Sequence, residues 1–225
     1  MEPPARADSE SMRDEKVKVL KSIPPLVAND VVRGQFRGYR NEPGVARNSD
    51  VETFCALRLF IDSWRWEGVP WYLRSGKYLA TTAAEVVVRL HAPPQKLFAD
   101  SAGEGTDTNY LRFRLEPRSS IAVAARVKRN GEEFVGDQRE LLLVDERSDA
   151  QTPYERLLGD AMAGNGALFT REDVVEAAWA AVDPVLENHP RAIPYKRGSW
   201  GPKEADALVA PDHWRNPRSD DAASS

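Results

Sequence analysis

The segment "NYLRFRLEPRSSIAVAARV", residues 109–127, decides the fold of this chain. Apolar and polar side chains alternate along both of its halves, which is the pattern of a strand with one buried face. The apolar positions are Leu111, Phe113 and Leu115 in the first half and Ile121, Val123, Ala125 and Val127 in the second. Between the halves, "EPRS" combines a proline with polar residues and predicts a turn. The segment therefore predicts an antiparallel hairpin.

Four further segments carry strand signals and extend the hairpin into a sheet. They are "DVVRGQFRGY" (residues 30–39), "TFCALRLFID" (53–62), "AEVVVRLH" (84–91) and "RELLLVD" (139–145). No helical pattern of about 10–15 residues separates the strands in the middle of the chain, as a parallel arrangement would require. We therefore expect a mainly antiparallel sheet.

Both ends of the chain follow the helical period of about 3.6 residues instead. Helices are predicted over residues 11–23, 152–162, 170–183 and 201–208. Three helix starts carry residues spaced as capping pairs: Ser11 with Asp14, Thr152 with Glu155, and Thr170 with Asp173. Pro184 is expected to end or kink the third helix.

The sequence thus predicts an α+β fold, with one large, mainly antiparallel sheet and helices packed on one face. We expect residues 1–214 to form one domain, followed by a disordered tail of residues 215–225.

The composition argues against several classes of partner. The 225 residues carry a formal net charge of −4, which offers no overall attraction for nucleic acid or an anionic membrane. No apolar run approaches the roughly 20 residues that span a bilayer. The first residues lack the basic start and apolar core of a signal peptide, and the single cysteine, Cys55, fits a reducing compartment. We expect a cytoplasmic protein with no nucleic-acid or membrane partner.

One short stretch is the best candidate for a binding site. The sequence contains no glycine-rich phosphate loop, and its three histidines lack metal-ligand spacing. In "WEGVPWYLRSGKYL", residues 66–79, Arg74 and Lys77 flank Gly76. This pattern has two interpretations: an exposed strand edge with two solvated charges, or a turn that presents Lys77 to an anionic small molecule. Spacing and composition leave both open.

Several specific segments resemble the C-terminal part of the glucose-6-phosphate dehydrogenase family. In chain order they are "MEPP", "RDEKVKVLKSI", "VVRGQFRGY", "TFCALRLFIDSWRWEGVPWYLRSGKYL", "YERLLGD" and "IPYKRGSWGPKEADAL". The most specific are "RWEGVPWYLRSGK" and "GSWGPKEAD". The resemblance implies an NADP-dependent oxidoreductase that converts glucose 6-phosphate to 6-phosphogluconolactone, the first step of the oxidative pentose phosphate pathway.

The resemblance also implies a division of labour. In the family a glycine-rich NADP loop and a catalytic histidine with an acidic partner precede "MEPP", so we expect neither a catalytic residue in this chain nor turnover by it alone. Met1 is accordingly expected to be an internal methionine of a longer enzyme. A stand-alone dimerisation or regulatory module and one subunit of a split enzyme, with the N-terminal half as a separate chain, are the alternatives.

Three positions follow from the resemblance as substrate-binding candidates. Lys77 matches the substrate-contacting lysine of the family's "R-x-G-K" turn, so glucose 6-phosphate is the expected ligand. Thr82 stands where the family usually has a basic residue, and Glu116 stands where it usually has glutamine. A carboxylate near a phosphorylated sugar is repulsive unless it meets only hydroxyls, so both departures predict weaker substrate binding.

Some family members bind a second, structural NADP on this half. Arg74 and Arg114 match members of that cofactor site, but the other matching positions cannot bind phosphate. Those positions hold Val87, Ala122, Ala124 and Trp200. We therefore expect the second site to be dismantled, with Arg74 and Arg114 in structural ion pairs. The resemblance finally implies a homodimer formed through the large sheet.

Overall fold

The computed structural model describes residues 2–95, 99–100, 108–131, 134–144 and 152–217. The helices are α1 (Ser9–Lys21), α2 (Pro153–Met162), α3 (Glu172–Glu187) and α4 (Asp206–Val209). The strands are β1 (Val31–Phe36), β2 (Phe54–Leu59), β3 (Trp71–Gly76), β4 (Ala84–Arg89), β5 (Ala99–Asp100), β6 (Tyr110–Glu116), β7 (Ser120–Lys128), β8 (Val135–Val144) and β9 (Ile193–Tyr195). The predicted α+β class is confirmed.

The strands divide between two sheets, where the sequence pattern predicts one. The first sheet has the order β3-β2-β1-β9, and the second has the order β4-β6-β7-β8-β5. The division falls after β3, where the chain turns at Tyr78, a residue with a φ of 50°. As a result β3 is an edge strand of the first sheet, and β4 pairs with β6 in the second.

The chain forms two compact units that contain one sheet each. The first unit comprises residues 1–80 and 150–214, and the second comprises residues 81–149 and 215–225. A single domain over residues 1–214 stays a prediction. Most of the predicted tail, residues 218–225, lies outside the described residues.

The core of the first unit is built around Phe54 at the start of β2, which is only 1% exposed. Three glycines surround its ring. A Cβ atom added to Gly201 would lie 2.3 Å from a Phe54 ring carbon, and one added to Gly76 would lie 2.9 Å from another. At Gly34 an added Cβ would lie 3.1 Å from Phe54. Each backbone therefore approaches the ring where a side chain has no room.

The helices of the first unit start and stop close to the predicted positions, with three differences. The α1 N-cap is Asp8, whose carboxylate accepts the Ser11 N–H at 2.8 Å, so the predicted cap at Ser11 was wrong. The α2 capping box of Thr152 and Glu155 is confirmed. The predicted cap at Thr170 was wrong, because the α3 N-cap is Arg171. Helix α3 continues through Pro184 to Glu187.

The Arg171 side chain makes no capping hydrogen bond to α3 and instead forms ion pairs with α1. Its guanidinium donates to Glu10 at 2.8 Å and to Asp14 at 2.7 Å. The small Ala177 and Ala181 are buried on α3, and Val17 is buried on α1. Small residues on a helix let a neighbouring helix approach closely. The ion pairs of Arg171 add to this contact at the N-terminal end of α3.

The second sheet has one apolar and one polar face. Register places apolar residues of four strands side by side, as Val86, Phe113, Ile121 and Leu143 in one row and Val88, Leu111, Val123 and Leu141 in the next. On the polar face, Arg112 donates to Glu140 at 2.6 Å, and the Tyr110 hydroxyl donates to the same carboxylate. Burial, together with that carboxylate, raises the pKa of Tyr110 to about 12.

The contact between Gly201 and Phe54 can be tested by one added methyl group. We expect Gly201→Ala to destabilise the folded chain by about 2–4 kcal/mol, since the new Cβ both strains a left-handed backbone and overlaps the Phe54 ring. Gly38 is a matched control, because its φ of 100° is almost the same as the 101° of Gly201 while an added Cβ meets nothing closer than 3.5 Å.

Gly38→Ala should therefore cost about 1–2 kcal/mol, from backbone strain alone. Urea denaturation of both variants measures the difference. Equal losses would contradict the close packing of Gly201 on Phe54.

Candidate functional site

The site is built on the turn that follows β3. Gly76 ends the strand directly over Phe54, and the first residue beyond it is Lys77. The Lys77 N–H donates to the Thr53 carbonyl oxygen at 2.8 Å, and the Lys77 carbonyl oxygen accepts from the Tyr195 hydroxyl at 2.6 Å. Both polar groups of the Lys77 backbone are therefore bonded to neighbouring parts of the first sheet.

The next residue, Tyr78, links the turn by a hydrogen bond to the segment after β9. The Tyr78 carbonyl oxygen accepts from the Gly198 N–H at 2.8 Å, and Leu79 forms a parallel bridge with Ser199. The guanidinium of Arg197 lies 4.3 Å from the centre of the Tyr78 ring and donates to Glu42 at 2.7 Å. These contacts join the two residues that follow the motif "RWEGVPWYLRSGK" to the start of the motif "GSWGPKEAD".

The Lys77 side chain itself is exposed. Within the part of the chain that the structure describes, its ammonium group has no hydrogen bond or ion pair to another residue. A compact charge on a fixed backbone is suited to an anionic ligand such as a phosphate. Strand β3 is an edge strand, and the turn after it leaves the Lys77 side chain exposed. That this turn binds an anionic small molecule stays a prediction.

Arg74 lies in β3, three residues before Lys77, and its charge is enclosed by aromatic rings. The guanidinium carbon lies 4.8 Å from the Trp200 ring and 4.8 Å from the Trp214 ring. Burial lowers the pKa of Arg74, while the charge of Asp206 opposes that shift. Cation–π contact with two indoles favours the charged form, so Arg74 stays a cation held inside the first unit.

Thr82 and Glu116 belong to the second unit and lie at the same end of its sheet. Glu116 is the last residue of β6 and pairs in register with Ala84, two residues after Thr82. Both side chains are exposed. Position 82 therefore carries a neutral hydroxyl group, and the exposed carboxylate of Glu116 lies at the same end of the sheet.

Arg114 is buried on the polar face of the second sheet. Its Nε lies 3.5 Å from a Glu85 carboxylate oxygen, and Arg112 lies 3.5 Å from the same oxygen. The neighbouring Ala122 and Ala124 are 0% and 1% exposed and offer no hydrogen-bond donor. This donor set does not fit the phosphates of a second dinucleotide.

The sequence patterns single out Lys77 but not Tyr195, whose hydroxyl group donates to the Lys77 carbonyl oxygen. Tyr195 lies in "IPYKRGSWGPKEADAL", one of the segments that resemble the family. The resemblance therefore pointed to this segment, but it did not indicate the contact between Tyr195 and Lys77.

In the described residues no cluster of three or more potential metal ligands occurs. None of the described helices combines the length and hydropathy of a membrane span.

Comparison with known proteins gives one consistent family. A profile of the family described as "Glucose-6-phosphate dehydrogenase, C-terminal domain" matches residues 1–215. The glucose-6-phosphate 1-dehydrogenase of Aggregatibacter actinomycetemcomitans is 38% identical over 241 residues, which cover 96% of this chain and 48% of that protein. Glucose-6-phosphate 1-dehydrogenase 1 of Mycobacterium tuberculosis is 36% identical over 220 residues, or 96% of this chain and 46% of the relative.

Solved structures give the same result. The crystal structure of glucose-6-phosphate 1-dehydrogenase from Mycobacterium avium matches with a TM-score of 0.85 and 37% identity, over 97% of this chain and 48% of that one. A glucose-6-phosphate dehydrogenase in complex with its substrate glucose-6-phosphate matches with a TM-score of 0.78 and 28% identity, over the same two shares of 97% and 48%.

The chain spans about half the length of the relatives it matches. Its sheets, its helices and its motifs all correspond to the same half of those enzymes. The chain belongs to the glucose-6-phosphate dehydrogenase family, a family of oxidoreductases, and it corresponds to the C-terminal domain of that family.

Proposed function

We propose that this chain is the substrate-binding half of an enzyme that oxidises glucose 6-phosphate to 6-phosphogluconolactone. The observation that carries the proposal is the Lys77 turn, where a fixed backbone presents an exposed ammonium group. In the reaction the C1 hydroxyl group of the sugar gives up a proton and a hydride. The role of this half is to hold the anionic sugar phosphate while groups outside the chain remove both.

Lys77 supplies the positive charge of the site in this proposal. A lysine ammonium donates up to three hydrogen bonds, and a charge-assisted bond to phosphate is stronger than a bond between neutral groups. Because the Lys77 backbone is bonded on both sides, little conformational freedom of the main chain is lost on binding.

NADP is the proposed hydride acceptor, bound by the half of the enzyme that precedes this one in the family. Among the described residues, the two arginines that match the family's second, structural NADP site do not fit that second cofactor either. Arg74 is enclosed between two tryptophans, and Arg114 lies against Glu85 beside two buried alanines. We therefore propose that this chain binds the sugar phosphate but does not reduce NADP by itself. From the sequence we also propose that the protein acts in the cytoplasm.

The apolar face of the second sheet supports a homodimer. Leu141, Leu143 and Val123 are 76%, 70% and 47% exposed, which is unusual for neighbouring large apolar side chains. A second copy of the chain presents the same face. Pairing two such faces would remove the apolar surface of both from water, which is favourable by about 25 cal/mol per Å² of apolar area.

Removing the Lys77 ammonium group tests the site. We expect Lys77→Ala to weaken binding of glucose 6-phosphate by about 10–100-fold, the loss of a charge-assisted hydrogen bond. Isothermal titration calorimetry on the purified chain measures the dissociation constant. Lys18→Ala is the control, because the Lys18 side chain is 68% exposed on α1. Equal weakening by both variants would point to a non-specific charge effect and would contradict the site.

Restoring the family residues should strengthen binding. The family resemblance implies Glu116 as a substrate-binding position, so we expect Glu116→Gln to tighten binding of glucose 6-phosphate roughly 3–10-fold, because it removes a negative charge from that position. Thr82→Lys should tighten it further, and more strongly at low salt. Glu67→Gln, an exposed charge of the first unit, is the control. An unchanged or weaker affinity for Glu116→Gln would show that the carboxylate accepts hydrogen bonds from the sugar hydroxyls instead.

A single charge on the apolar face should separate the dimer. We expect Leu141→Asp to shift the chain from dimer to monomer in sedimentation equilibrium, since the association would have to bury an unpaired carboxylate. The control is Leu158→Asp on α2, where the leucine is 63% exposed but lies outside the second sheet. A wild-type chain that sediments as a monomer, or a Leu141→Asp variant that stays dimeric, would contradict the interface.

A further inference from the structure

A line of hydrogen bonds crosses the first sheet and ends at the Lys77 carbonyl group. The Phe36 N–H donates to the Thr53 hydroxyl oxygen at 2.9 Å, and the Thr53 and Tyr195 hydroxyl oxygens lie 3.2 Å apart. The Tyr195 hydroxyl then donates to the Lys77 carbonyl oxygen at 2.6 Å. The Tyr195 hydroxyl also lies 3.2 Å from the Thr53 carbonyl oxygen, and in its contact with the Thr53 hydroxyl either group can donate.

The line takes one group from each part of the first sheet. Phe36 ends β1, Thr53 precedes β2, Tyr195 ends β9, and Lys77 follows β3. Phe36 and Tyr195 are 4% and 3% exposed, so most of the line lies away from water. Hydrogen bonds in such surroundings are stronger than in water, and consecutive bonds polarise one another.

The Tyr195 hydroxyl is fixed as a donor. Burial raises the pKa of Tyr195 above that of an ordinary phenol, so the hydroxyl keeps its proton near neutral pH. The Tyr195 ring packs on Phe54, with the ring centres 5.6 Å apart, which fixes the direction in which the hydroxyl points. A Phe in its place would keep this packing and lose only the hydroxyl group.

We propose that the Tyr195 hydroxyl is a positioning group for substrate binding: it holds the Lys77 carbonyl group and so fixes the backbone position and direction from which the Lys77 side chain extends. This inference rests on the proposed role of Lys77 in binding glucose 6-phosphate. Tyr195 does not touch the ligand. Its effect reaches the ligand through the Lys77 backbone, with Thr53 holding the tyrosine hydroxyl from the other side.

Tyr195→Phe tests the inference, with Tyr72→Phe as the matched control. Tyr72 lies in β3 of the same sheet, and its side chain is 38% exposed. We expect Tyr195→Phe to weaken binding of glucose 6-phosphate about 3–10-fold, the loss of one hydrogen bond, and Tyr72→Phe to leave it unchanged. Nuclear magnetic resonance titration is the appropriate measurement, because it also reads weak binding.

A double-mutant cycle separates positioning from a general loss of stability. If Tyr195 acts through the Lys77 ammonium, Tyr195→Phe has no further effect on binding once Lys77 is replaced by alanine. Thr53→Val should weaken binding by a smaller factor than Tyr195→Phe, and Thr53→Ser, which keeps the hydroxyl, should restore it. An unchanged affinity for Tyr195→Phe, or an equal loss in both backgrounds, would overturn the positioning role.

Hydrogen exchange at the Lys77 amide separates this inference from the proposed function, because it needs no ligand. We expect the amide to exchange about 3–10-fold faster in Tyr195→Phe than in the wild type or in Tyr72→Phe. If the wild-type chain does not bind glucose 6-phosphate and the amide still exchanges faster, the proposed function is wrong while the backbone contact stands. If the exchange rate does not change, the positioning inference is wrong regardless of binding.

Discussion

The first unit depends on one packing constraint: the Phe54 ring is enclosed so tightly that three of its neighbours must be glycines. Gly34 belongs to β1, Gly76 ends β3, and Gly201 lies in the turn before α4. Interiors at the density of organic crystals leave no room for an extra carbon at such contacts. The ring therefore draws together backbone segments that are far apart in sequence, and it does so directly beneath the turn that presents Lys77.

This constraint supports the binding role that we propose for Lys77, the residue directly after the edge strand β3. An exposed lysine normally samples many conformations, and ordering it on binding is unfavourable. Here the Lys77 backbone is bonded through its N–H to Thr53 and through its carbonyl group to Tyr195, so only the side chain remains free. Rigid support from packed and hydrogen-bonded neighbours is the usual way in which proteins position such a group. Arg74, three residues earlier, contributes to the same rigidity through its two tryptophans.

The sequence predicts the strands well where alternation is strong, because a period of two is set by local geometry. The hairpin of β6 and β7 and the capping box of Thr152 are of this kind. Strand β9 could not be predicted in this way, because it has three residues and pairs in parallel with β1, over 150 positions away. Periodicity therefore gave no sign that its last residue, Tyr195, belongs to a strand. The division into two sheets depends on which strand pairs with β3, and that is a tertiary contact. The proposal for Lys77 depends on the family resemblance, since spacing alone left both a solvated edge and an anion-binding turn open.

The most direct test of the Lys77 site is a nuclear magnetic resonance titration of the chain, labelled with nitrogen-15 in its lysines, with glucose 6-phosphate. We expect a saturable shift of the Lys77 amide and ammonium signals, with much smaller shifts for the lysines of α1. Glucose, which lacks the phosphate, should cause no shift at the same concentration. Shifts spread evenly over the exposed lysines, or no response at Lys77, would contradict it.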